Sequence, residues 1–107
     1  MEQPRDRMRF SVIVPAYTEA AYLGRALNSL LHQDYDGGYE VIVVDNNSRD
    51  ETAAIAARYG VRVVKEPQQG VCAARQRGVD CARGEIIIST DADTTQPRDW
   101  QIGRAHV

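Results

Sequence analysis

Glu85-Ile86-Ile87-Ile88-Ser89-Thr90-Asp91-Ala92-Asp93-Thr94 is the stretch that decides the fold. Its run of β-branched residues bounded by polar ones predicts a buried parallel strand. The strand ends on two carboxylates one residue apart, and in an open α/β sheet the ligand crevice lies at the carboxyl ends of the strands. Residues i and i+2 of an extended segment project to one side, so Asp91 and Asp93 can face one ligand. Hard oxygen donors so placed suit Mg²⁺ or Mn²⁺ bridging to a phosphate-bearing substrate. A single Asp-x-Asp is equally compatible with one capping and one solvated aspartate, so the weight falls on what precedes it.

Upstream, residues 71–83 read as a helix closed by Gly84. Its face of Val71, Ala74, Gly78 and Ala82 is narrow and small, suited to lying close on a sheet. Residues 67–70 are a loop, and 61–64 a short strand. Ser48-Arg49-Asp50-Glu51 has the spacing of a capping box, which starts a helix running to Tyr59 with Gly60 as its C′ residue. The apolar run 41–44 is a strand that ends on Asp45-Asn46-Asn47-Ser48, and residues 34–38 form a turn cluster. Residues 20–33 form a helix whose stripe of Leu23, Leu27, Leu30 and Leu31 faces the sheet. Residues 10–14 form the first strand, stopped by Pro15, which cannot donate to a ladder; residues 15–19 then form a loop. Four strands alternating with three helices predict an α/β fold with right-handed crossovers and a mainly parallel sheet.

The chain has 107 residues, enough for one domain with one core, and 43% hydrophobic with 26% charged residues fits a globular protein. A net charge of −2 points away from nucleic acid or an anionic membrane as partner. Cys72 and Cys81 fall in one helix roughly 13 Å apart, too far to bridge each other, and read as small buried or half-buried thiols. His32 and His106 are isolated and lack metal-ligand spacing. Residues 1–9, with Arg5, Arg7 and Arg9, read as a flexible leader without the apolar core of a signal peptide. No run of 18 apolar residues occurs. The expectation is a cytoplasmic protein, any membrane association coming through segments outside this chain.

The loop after the first strand lacks the Gly-x-Gly-x-x-Gly of a dinucleotide fold, no P-loop occurs, and no Gly-x-Ser-x-Gly elbow is present. What stands at strand ends is acidic or polar: Glu19, Asp45 and the pair Asp91/Asp93. These converge if their strands are neighbours. Asp45 could accept a hydrogen bond from a base imide, and Arg75 with a metal at Asp93 could clamp phosphates. That describes a site for a nucleotide with a divalent ion.

Residues 12–19, 41–48 and 70–75 together with Asp91-Ala92-Asp93 resemble, in order, the motifs of family 2 glycosyltransferases. The resemblance covers residues 10–100. It implies a GT-A fold, a Rossmann-like nucleotide-sugar-binding half-domain, and inverting transfer from a nucleoside-diphosphate sugar, a UDP-sugar by expectation, to an unknown acceptor. By position, Pro15, Ala16, Tyr17 and Glu19 would line base and ribose, and Asp45 would bind the base. Arg75 would lie near the phosphates, Asp91 on the ribose side, and Asp93 on the metal. Thr18 stands where the family usually has Asn, Asn47 where it has Gly, and Gln76 where it has Asn.

Residues 101–107 show no apolar periodicity and read as a non-native or truncated tail. The family's general base is expected beyond them, so the chain alone is expected to be inactive and marginally stable. Two alternatives accompany this reading. One is a nucleotide-sugar-binding remnant without turnover. The other is a haloacid-dehalogenase-type phosphatase, which Asp91-Ala92-Asp93-Thr94-Thr95 resembles, although that motif normally ends the first strand of its fold.

Overall fold

The computed structural model describes residues 10–33 and 38–92. The leader, most of the turn cluster, Asp93 and the tail lie outside them. The elements are β1 (Phe10–Ala16), α1 (Ala20–Leu31), β2 (Tyr39–Asp45), α2 (Thr52–Arg58), β3 (Arg62–Lys65), α3 (Val71–Cys81) and β4 (Ile86–Ser89). The sheet is parallel throughout, in the order β3-β2-β1-β4. From β1 the chain winds outward through β2 to β3, then returns across β1 to β4. The direction therefore reverses between β1 and β4, which is where such sheets open a crevice.

Both faces of the sheet are covered. Phe10, Val12, Val14, Val41 and Val43 pack against Leu23, Leu27 and Leu30 of α1 and Ala56 of α2. Ile13, Ile42 and Val44 meet Ala74 of α3 on the other side. That explains the unbroken apolar runs of β1 and β2. α3 comes close through Ala74 and Gly78, a Cβ built on Gly78 standing 2.3 Å from Ile13 Cγ2, whereas Val71 of the predicted face is exposed and Ala82 lies just past the helix. Gly60, at φ +75°, follows the C-cap residue Tyr59 of α2 as a C′ glycine should.

Several expectations need correction. β1 runs through Pro15 instead of stopping at it. Ile13 O accepts from Thr90 N on the β4 side, and Pro15, two residues on, faces the same side just where pairing with β4 has ended at Ser89. The missing N–H thus falls where no ladder bond is required. β4 is parallel but not buried: among the described residues it is the sheet's edge, with Ile86 and Ile87 exposed and only Ile88 in the core. Leu31 is 38% exposed, and Ala26 takes its place in the buried stripe. Cys72 is exposed and Cys81 half-buried, both as free thiols. α3 ends at Cys81, so Gly84 does not cap it; its N–H donates to Ser11 Oγ at 2.8 Å, and a Cβ there would strike the β1 backbone.

The Ser48–Glu51 capping box does not form. α2 begins at Thr52, and no side chain caps it from Glu51. Ser48, Asp50 and Thr52 instead satisfy three successive amides leading into α1. Thr18 N donates to Ser48 Oγ (2.9 Å), Glu19 N to Thr52 Oγ1 (3.0 Å) and Ala20 N to Asp50 Oδ2 (3.2 Å). A helix start needs such acceptors, and here the neighbouring loop supplies them. The Thr52 hydroxyl also donates to Asp50 Oδ1, and this bond chiefly holds the Asp50 carboxyl below its ordinary range.

At the amino ends of the strands a buried polar knot ties β4 to the sheet. Glu40 accepts from Ser11 Oγ (2.6 Å), the Arg83 amide (2.7 Å) and Arg62 Nη1 (3.0 Å). Burial pushes its pKa up, but those hydrogen bonds outweigh it and the net shift is downward from 4.5. A carboxylate with a lowered folded pKa contributes stability above its unfolded pKa and loses it as pH falls through the folded one. In urea melts, the advantage of the native chain over Glu40→Gln is therefore expected to be full at pH 7 and to shrink below about pH 4.5. A gap independent of pH would contradict this.

Candidate nucleotide-binding site

At the carboxyl ends of β1 and β4 lies a cleft of about 490 Å³. Pro15, Ala16, Tyr17 and Glu19 line it from the β1–α1 side, Asp91 and Ala92 from the end of β4. Asn46, Gln69, Gly70 and Val71 complete the wall, so the amino end of α3 opens into the cleft. Gly70 sits at φ +138°, a conformation that essentially only glycine adopts.

Asn46 explains why that wall stands where it does. Its side chain is buried, with Nδ2 donating to Glu66 O (2.9 Å) and Gln68 O (2.8 Å). Its Oδ1 accepts from Gly70 N at 2.9 Å. One amide thus pins the loop between β3 and α3 to the end of β2.

Of the residues singled out in the sequence, Pro15, Ala16, Tyr17, Glu19 and Asp91 share this cleft. Asp45 is not brought into it. Its Oδ1 accepts from Ser48 N (3.0 Å), and it lines a separate cavity of about 130 Å³ with Lys65 and Glu66. Arg75 does not line the cleft either; its Nε donates to Ser89 Oγ at 3.2 Å, tying α3 to β4. Asp93 lies outside the described residues. Asn46, Gln69, Gly70, Val71 and Ala92 were missed as lining residues, although all but Gln69 stand inside motifs already noted.

The two residues that depart from the family pattern near the cleft both have positive φ: Thr18 at +53° and Asn47 at +65°. Asparagine tolerates this region; a β-branched residue there is an outlier. Thr18→Asn is expected to gain about 0.5–1 kcal/mol by relieving the backbone, read as a melting midpoint raised by several degrees. Thr18→Val, equally β-branched, is the control and should gain nothing.

Among the described residues, no three His, Cys, Asp or Glu side chains are grouped to hold a metal ion by themselves. The cleft does carry two carboxylates, Glu19 and Asp91. Mg²⁺ commonly takes one or two carboxylates and completes its shell with phosphate oxygens and water. Asp91, at the end of β4, therefore fits as one carboxylate ligand of an ion that arrives with a phosphate ligand.

The sequence model described as Glycosyl transferase family 2 matches residues 11–102. The chain belongs to that family. Among family 2 relatives, Glycosyltransferase AglE of Haloferax volcanii is 36% identical over 97 residues, 84% of this chain and 32% of AglE. Staphylococcus aureus TarS 1-349, solved in complex with UDP, matches with a TM-score of 0.85 at 32% identity, covering 92% of this chain and 31% of that one. The mannosyltransferase PcManGT from Pyrobaculum calidifontis, in complex with GDP-Man and Mn²⁺, matches with a TM-score of 0.80 at 36% identity, covering 90% and 31%. The fold is that of GT-A glycosyltransferases, and this chain spans about a third of the length of these relatives. Family 2 membership leaves the phosphatase alternative without support. No helix among the described residues is long and apolar enough to cross a membrane.

Proposed function

We propose that this chain binds a nucleoside-diphosphate sugar, by preference a UDP-sugar, as the donor-binding part of a metal-dependent, inverting sugar transfer to an acceptor. The observation that carries the reading is the cleft at the β1/β4 reversal, walled by the β1–α1 loop, Asp91 and the amino end of α3. Base and ribose are assigned to Pro15, Ala16, Tyr17 and Glu19, with Asp91 on the ribose side. The diphosphate is assigned to the amino end of α3 from Val71 on, where the helix dipole favours negative charge; the Gly70 amide itself is held by Asn46 Oδ1. Asp93, with Asp91, is assigned to Mg²⁺ or Mn²⁺, an ion that when bound would neutralise charge developing on the leaving diphosphate. TarS solved with UDP, and PcManGT with GDP-Man and Mn²⁺, support donor class and ion. Asp45 holds the turn after β2 through Ser48 N, and Arg75 braces α3 on β4 through Ser89 Oγ.

Glu19 and Asp91 are both assigned to the donor, which leaves no described carboxylate on the cleft to activate an acceptor hydroxyl. The activity proposed for the purified chain is therefore donor binding. Thermal unfolding with UDP, with and without Mn²⁺, tests the reading. A ligand at one hundred times its dissociation constant adds about 2.7 kcal/mol. Stabilisation that needs Mn²⁺ and vanishes in Asp91→Asn and Asp93→Asn is the expected result. A cooperatively unfolding chain indifferent to millimolar UDP and GDP would overturn it.

A further inference from the structure

A second concavity, about 570 Å³, lies between α1 and α2 and shares no lining residue with the cleft. Its walls are Ala20, Ala21, Gly24 and Arg25 of α1 and Ile55, Arg58 and Tyr59 at α2. Neither helix contains an aspartate or glutamate; Arg25 and Arg58 are their only charged residues. Among the described residues, neither guanidinium and no part of the Tyr59 hydroxyl has a hydrogen-bond or ion-pair partner. Gly24 leaves the room that Tyr59 occupies over the groove: a Cβ there would stand 2.9 Å from its hydroxyl. The neighbouring carboxylate, Asp50, is turned to the Ala20 and Thr52 amides and is not part of the lining.

Every polar side chain on this groove can donate, and none is a carboxylate, carboxamide or other dedicated acceptor. Both arginines are exposed, so water screens their mutual repulsion; what the groove offers an anion is two guanidinium forks and a hydroxyl with no carboxylate among its lining residues. We propose that the α1–α2 groove is an anion site for a phosphate group, gripped from two helices by Arg25 and Arg58, with the Tyr59 hydroxyl as a further donor. A soluble phosphate ester and a phospholipid headgroup present the same chemistry. The proposal is independent of donor binding, because the two concavities have different walls.

Amide-resolved NMR of the ¹⁵N-labelled chain titrated with inorganic phosphate tests it. Saturable millimolar shifts confined to residues 20–25 and 55–59 are expected, and equal ionic strength of NaCl should not reproduce them. Arg25→Gln and Arg58→Gln should each weaken binding about tenfold, as loss of a charge-assisted hydrogen bond does, and Tyr59→Phe should weaken it less. Sedimentation with phosphatidylglycerol and phosphatidylcholine vesicles separates the sources. Binding to the anionic vesicles that is lost in the double Arg variant assigns the site to a headgroup; saturation by phosphate without vesicle binding assigns it to a soluble ligand. Absence of both, shifts that survive in the double variant, or an undispersed spectrum that removes the groove itself would overturn the proposal.

Discussion

Gly78→Ala is expected to cost at least about 2 kcal/mol, and Gly78→Val to abolish cooperative unfolding. The usual effect of alanine for glycine inside a helix is a gain of about 0.8–1 kcal/mol. Here the added methyl would stand 2.3 Å from Ile13 Cγ2 and 3.2 Å from both Ile13 Cδ1 and Val44 Cγ2. Ile13 and Val44 are fully buried in the sheet's centre and branched at Cβ, so their γ carbons cannot swing aside without moving β1 or β2. Overpacking of such sites costs typically 1–3 kcal/mol, and the contact here is with two strands at once. The clash has an identified partner, so a double-mutant cycle decides the mechanism. Ile13→Ala removes the offending γ carbons at its own cost, and the double variant should be less destabilised than the two single losses added. Strict additivity would mean that some other contact is responsible. The effect should reach the cleft as well: α3 carries Gly70 and Val71 at its amino end, and a helix pushed off the sheet takes that wall with it.

This case also shows what a sequence can reveal. The small face of α3 was legible because residues spaced three and four apart must share one side of a helix, and a face of Ala and Gly has no other use than close approach. Strand and helix order was legible for the same reason, through period. Pro15 was misread because a rule about donors was applied without knowing which side of β1 would be paired at that residue; that depends on where β4 stops. Burial of β4 was misread because an apolar run records what a strand can cover, not whether its outer edge is covered among the described residues. Ser48 was expected to cap its own helix with Glu51; instead Ser48, Asp50 and Thr52 cap across space to α1. Spacing along the chain cannot disclose that.

The site divides in the same way. Residues on the loop that directly follows β1 are near the crevice by topology alone, and Asp91 follows β4 likewise, so these were found. Asp45 ends β2, one strand away from the reversal, and one of its oxygens, Oδ1, accepts from Ser48 N, which the sequence did not show. Asn46 is the converse. It looked like one of several polar turn residues, and only the structure shows three backbone groups of a distant loop bonded to its side chain.

Asn46→Asp follows from that arrangement as a nearly isosteric change with a large effect. The substituted carboxylate would still accept from Gly70 N, but the two N–H bonds to Glu66 O and Gln68 O would be replaced by negative oxygens facing carbonyls at about the same 2.8–2.9 Å. Leaving buried polar groups unsatisfied costs about 1–3 kcal/mol each, more where one is charged, so a loss of about 3–5 kcal/mol is expected at pH 8. The 66–70 loop is the part that can give way, which makes local detachment the expected response. Amide exchange at Gly70 and Gln68 should accelerate at least a hundredfold while the β1 and β2 amides slow or hold, and UDP stabilisation should disappear. Acid separates this from a general packing defect. Burial against carbonyls raises the new carboxyl's pKa, so the destabilisation is full above that folded pKa and relaxes as pH falls through it toward the unfolded value. Asn46→Ala, which carries no charge, should be destabilised equally at pH 8 and pH 5. If Asn46→Asp lies within about 0.5 kcal/mol of the native chain at pH 8, the usual range for an inconsequential surface change, the loop is held by something other than this side chain.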